Sequence, residues 1–143
     1  MVRYMALALG VVLAAGPATA QTPARVLNRA EVQVIAQTDT GGATPRCGMV
    51  FRIRNVGTVR LSTFIAEIAA TDMRNSAALT LPVSVVNVSN VDAGESRDSI
   101  TPTQAVGASC DQVRVRVTTV TCIRQCESVA WTQQGLGALE APR

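Results

Sequence analysis

Cys47-Gly48-Met49-Val50-Phe51-Arg52-Ile53-Arg54 is the stretch that decides the fold class. Cys47, Met49, Phe51 and Ile53 recur at every second position, while Arg52 and Arg54 take alternate positions. Successive side chains of a strand point to opposite faces, so this spacing gives one face to a core and the other to water. Asn55-Val56-Gly57-Thr58 follows with turn chemistry. Upstream, Ala30 to Gln37 repeats the alternation, with Val32 and Val34 on one face and Glu31 and Gln33 on the other, and Asp39-Thr40-Gly41-Gly42 breaks it. Far downstream, Val113 to Val120 sets Val113, Val115 and Val117 against Arg114 and Arg116.

The segments between are less regular. Val59 to Thr71 holds Leu61, Phe64, Ile65 and Ile68 at helical spacing, but its bounding turns and β-branched start favour a strand. Leu79 to Val88 is rich in Val, and Pro82 confines it to an edge or a strand start. Asp92-Ala93-Gly94-Glu95 is a turn, Ser96 to Thr101 a short strand ended by Pro102, and Ser128 to Gln133, carrying Trp131, the last strand. Residues 135–143 contain two Gly and a Pro without period and predict a flexible tail. Short strands at near-regular spacing predict an all-β fold over residues 30–134, an immunoglobulin-like or fibronectin-III-like sandwich of about seven antiparallel strands.

The chain has 143 residues, 48% of them hydrophobic and 16% charged, enough apolar content for one packed domain. It has no His, and all thirteen of its basic residues are Arg. Catalysis by a Ser-His or Cys-His pair, His-bound metal centres, Schiff bases and phosphate loops with a Lys are thereby excluded. Residues 1–20 read as a signal peptide: Arg3, an apolar run from Met5 to Ala15, then Ala18-Thr19-Ala20 as the cleavage site before Gln21. The run is too short to span a bilayer. Residues 21–29 form a polar lead-in. The expected location is periplasmic or secreted. Loss of Arg3 with the leader takes the formal charge from +3 to +2, which does not mark a nucleic-acid binder.

Four cysteines behind an export signal read as two disulfides. If residues 111–121 form one strand, Cys110 and Cys122 stand about 40 Å apart. That is far beyond the roughly 7 Å between Cα atoms that a bridge tolerates. Cys126 begins the return strand beside Cys122, so Cys110–Cys126 fails in the same way. Cys47–Cys110 with Cys122–Cys126 remains. Cys47 opens the second expected strand and Cys110 the sixth, which run in the same direction and start at the same end.

The residues from Cys47 through Asn55-Val56-Gly57-Thr58, then Val91-Asp92-Ala93-Gly94-Glu95-Ser96, then Cys110-Asp111-Gln112-Val113-Arg114-Val115, resemble small secreted bacterial Ig-like proteins, among them the IrmA-type fibronectin-III-like group. The resemblance covers roughly residues 47 to 122. It implies a secreted sandwich and carries no catalytic residues. Ala93 stands where Pro is commoner in that pattern, and the sequence after Gln21 has no Tyr.

Other groups of charged residues are candidate sites. Asp92, Glu95 and Asp98 gather oxygen ligands near one turn, without the spacing of a calcium loop. Those carboxylates, or Asp111 with Glu127, could be paired on paper as glycosidase residues, but nothing in the sequence sets two across a cleft. Arg52, Arg54, Arg114 and Arg116 could form a basic face for an anionic partner, provided their strands share a sheet. The expectation is a non-enzymatic module with no cofactor and no metal. It is expected to bind a protein or envelope component through a strand edge or an end loop, as a monomer or an edge-paired homodimer, without nucleic acid or a membrane span. The alternative is a structural or accessory subunit of an envelope or pilus-like assembly.

Overall fold

The computed structural model describes residues 28–99, 102–122 and 126–142. The signal peptide, its cleavage point, nearly all of the lead-in and the end of the Ser96–Thr101 strand lie outside the described residues.

Ten strands follow one another: β1 Arg29–Asp39, β2 Arg46–Asn55, β3 Leu61–Asp72, β4 Ala78–Leu79, β5 Val85–Val91, β6 Ser96–Asp98, β7 Thr103–Val106, β8 Val113–Cys122, β9 Ser128–Gln134 and β10 Ala138–Glu140. A short 3-10 turn, Cys110–Gln112, precedes β8. They form two five-stranded sheets. In the first, β9 pairs with β1, β1 with β2, and β6 and β7 share the far edge of β2. In the second, β10 pairs with β8, β8 with β3, and β4 and β5 share the far edge of β3.

The fold is an all-β sandwich, and period two explains its core. Val32 and Val34 from β1, Met49, Phe51 and Ile53 from β2, and Val113 and Val115 from β8 are at most 1% exposed. They meet Phe64, Ala66, Ile68 and Ala70 of β3. The helical look of β3 came from a phase change. Leu61 and Phe64 both point inward, three residues apart, and from Phe64 onward the buried positions alternate through the small Ala66 and Ala70. Cys47–Cys110 joins β2 to the 3-10 turn ahead of β8, across the two sheets, with Cα atoms 4.7 Å apart. Cys122–Cys126 closes the β8–β9 connection at the opposite end.

Three expectations are corrected. The sheets are mixed, because β9 runs parallel to β1 and β10 parallel to β8. Strands outnumber the expected seven: Pro82 divides the Leu79–Val88 stretch into β4 and β5, and β7 forms directly after Pro102. The expected flexible tail, 135–143, is instead packed over residues 136–140: Leu136 is only 7% exposed, and Ala138, Leu139 and Glu140 pair with Arg114, Val115 and Arg116.

Candidate functional site

The four arginines do not make one basic face. Arg52 and Arg54 project from β2 on the outer side of one sheet, and Arg114 and Arg116 from β8 on the outer side of the other. Each also meets a carboxylate. Arg52 donates from Nε and a terminal nitrogen to Asp98 at 2.7 and 2.9 Å, Arg54 lies 3.8 Å from Glu31, and Glu140 sits 3.3 Å from Arg114 and 2.9 Å from Arg116. Strand pairing brings these partners together: Arg54 stands opposite Glu31, Arg52 opposite Asp98, and Arg116 opposite Glu140. The hydrogen bonds from Arg52 hold the Asp98 carboxyl below the usual carboxylate range.

The acidic residues behave similarly. Asp92 accepts hydrogen bonds from Arg60, which lower its pKa, and so turns away from any shared ligand. Among the described residues no three His, Cys, Asp or Glu side chains gather as a metal-holding group. Asp111 precedes β8 and Glu127 follows its far end, so the ten residues of that strand separate the two carboxylates. Among the described residues neither grouping sets two carboxylates across a cleft.

The feature that stands out is a gap in the pairing. β8 and β9 are consecutive strands, yet they belong to different sheets and do not pair. β10 covers β8 only from Arg114 to Arg116. Among the described residues no strand lies beside Val117–Cys122 on the side away from β3, and none beside β9 on the side away from β1. Two strand edges therefore border one open groove of about 690 Å³, running from Pro142 to the Cys122–Cys126 bridge. Thr119, Val120, Thr121 and Val129 line it, and Glu127 is the charged residue on its wall.

Trp131 sits on the floor. Its ring is half-buried and meets Phe64 at a centroid distance of 6.2 Å, with the planes inclined by 52°. Its Nε1–H is buried and has no acceptor among the described residues. A second hollow of about 420 Å³ flanks the other side of Trp131, beneath Leu139 and Pro142. The groove offers the unpaired main chain of Val117–Cys122 along one side, with Thr, Val and one carboxylate, Glu127, on its walls. The sequence places Trp131 in the last strand and reads Cys122 and Cys126 as a bridge. The gap escapes that reading, because two runs joined by a short connection look like a paired hairpin.

Among the described residues no helix is long and apolar enough to cross a membrane. Both disulfides are of the kind that persists in a non-reducing compartment. Comparison with known proteins finds no family model, no curated protein and no solved structure that matches the chain.

Proposed function

We propose that this chain is an exported, non-enzymatic immunoglobulin-like or fibronectin-III-like module that binds another protein or envelope component through a strand edge. The observation that carries the reading is the edge of β8 at Val117–Cys122, which has no strand beside it among the described residues and faces the likewise open outer edge of β9 across the groove. An extended segment added to such an edge gains affinity from main-chain hydrogen bonds and specificity from the side chains it meets. An open edge is otherwise a hazard, which proteins ordinarily cover or shorten. The leader-like residues 1–20 and the two disulfides support placement in the periplasm or outside the cell. The resemblance to IrmA-type secreted sandwiches agrees with that placement.

The test is capture from envelope extract by the exported protein, set beside two edge variants, Val120→Pro and Thr121→Pro. Successive N–H groups point to opposite sides of a strand, so one of these blocks the open edge and the other breaks the ladder to β3. Melting temperature tells which is which. Loss of capture in the variant that stays folded is the expected result. Capture that persists with the edge blocked would remove β8 as the binding element.

A further inference from the structure

We propose that the side of the sandwich between β8 and β9 is the self-complementary face of a two-fold dimer, in which the open edge of β8 pairs antiparallel with the same edge of a second copy. The proposal rests on the edge-binding reading above and names its partner. The two long sides of the sandwich differ. On the side away from the groove, contacts between the layers close the sheets against each other. Val106 of β7 bridges to Thr80, next to β4, with its N–H donating to that carbonyl at 3.3 Å. A guanidinium nitrogen of Arg97, in β6, reaches the Ser89 carbonyl of β5 at 3.5 Å. The edge strands there are also short or irregular. β4 has two residues, β6 has three with two of them charged, and Asn90 in β5 takes a left-handed φ of 56°. Short strands, charges and kinks are the devices that keep an edge from pairing.

Along the groove the edges are longer and uncharged. Val117–Cys122 and Ser128–Gln134 hold no Asp, Glu, Lys or Arg. A bulge sets Thr118 outside the ladder to β3, so the regular open stretch is Thr119–Cys122, about 13 Å long. Val120, Val129 and Trp131, between the sheets on this side, pack on the core yet are only half-buried. A partner that covers this side therefore gains apolar burial as well as main-chain hydrogen bonds.

Symmetry favours a second copy over a single added strand. β8 and β9 belong to different layers, which in a sandwich stand about 10 Å apart, and both open toward the groove. One added strand pairs with one layer and leaves the other edge bare. A two-fold axis normal to the sheets lays β8 against β8 of the second copy and brings the two β9 edges to face each other in the other layer. One contact then covers both edges and the apolar side chains between them. In such a contact each surface meets itself, so a charge near the axis would meet its own kind. The chain carries thirteen basic and ten acidic residues, and these two edges carry none of them. Glu127 lies at the bridge end of the groove, and antiparallel pairing sends the two copies' Glu127 to opposite ends.

Charge complementation tests the symmetry. Thr119 and Thr121 are exposed on the regular stretch, so changes there spare the core. Two double variants of the exported protein are made, Thr119→Lys with Thr121→Lys and Thr119→Asp with Thr121→Asp. Light scattering over a concentration series should give twice the mass of one chain for the unaltered protein. Each double variant alone should associate roughly tenfold more weakly, since like charges then stand across the strand pair. Mixing the two in equal amounts should restore association, because opposite charges now meet. The edge-blocking proline variant should stay monomeric. Trp131 is the chain's single tryptophan, so its emission should move to shorter wavelength over the same concentration range as water leaves the groove. A monomeric exported protein overturns the proposal; if the edge block still costs it capture from extract, the edge reading stands with a different partner. A dimer that survives the edge block, or whose charge variants fail to recover on mixing, also overturns it, since the copies then meet through another surface or head to tail. If the edge block changes neither mass nor capture, both readings fall.

Discussion

Asn55 ends β2 and is fully enclosed, yet all its polar groups are bonded. Its Nδ2 donates to the carbonyls of Val59 at 2.7 Å and Val91 at 2.9 Å, and its Oδ1 accepts from the N–H of Gly57 at 2.9 Å. Its main chain bonds to Glu95 and Gly94. One side chain thus ties the turn after β2 to the turn after β5. Replacing it by Ala leaves two carbonyls and an amide unpaired at a dry site, for an expected loss of about 3 kcal/mol in denaturant unfolding. A loss below about 1 kcal/mol would mean that the turns hold without it. The sequence shows Asn55 as a turn former and nothing more, since its partner Val91 lies far along the chain and only folding brings them together.

At the scale of elements, regular strands were legible and irregular ones were not. β1, β2 and β8 each show a plain alternation, and their inward residues are those expected from it. β7 has four residues and β10 three, too few for a period to register. β10 was also masked by its approach, Gly135-Leu136-Gly137. Gly135 has φ of +90°, and a Cβ there would stand 2.3 Å from the carbonyl oxygen of Ala36; a Cβ on Gly137 would stand 2.3 Å from that of Asp111. These glycines allow the chain to press between β1 and the 3-10 turn, burying Leu136, before it turns along β8. Gly137→Ala should therefore lift the strap. Hydrogen exchange should show the amides of Ala138–Glu140 losing protection while those of β1 and β2 keep theirs. Unchanged protection of β10 would mean that its pairing with β8, rather than the close approach, holds it down.

For the whole molecule, the long-range disulfide is the principal cross-link. It spans 63 residues and joins the sheets, whereas Cys122–Cys126 spans only four. The chain-entropy relation assigns about 4 kcal/mol to the first and about half that to the second. A domain of this size has a net stability of roughly 5–15 kcal/mol. Cys47→Ala with Cys110→Ala should lower the melting temperature well below that of Cys122→Ala with Cys126→Ala, read by calorimetry under non-reducing conditions. Equal effects would show that the short bridge also holds the two sheet edges in place. The pairing of cysteines was legible because strand length separates their ends. The all-β class was legible from period two. The mixed sheets and the groove were not, because whether neighbouring runs pair or part company depends on which sheet each joins, and alternation is silent on that.

The parallel pairing of β1 with β9 joins strands about a hundred residues apart. A polypeptide that emerges amino end first can zip β1 to β2 early, but the other side of β1 stays bare until residues 128–134 arrive. Cys47 likewise waits for Cys110. The first sheet and the long-range bridge are consequently complete only once the last quarter of the chain is present. The same dependence exposes incomplete copies: a product truncated before β9 displays the raw edge of β1, the kind of surface that proteases and aggregation both find first.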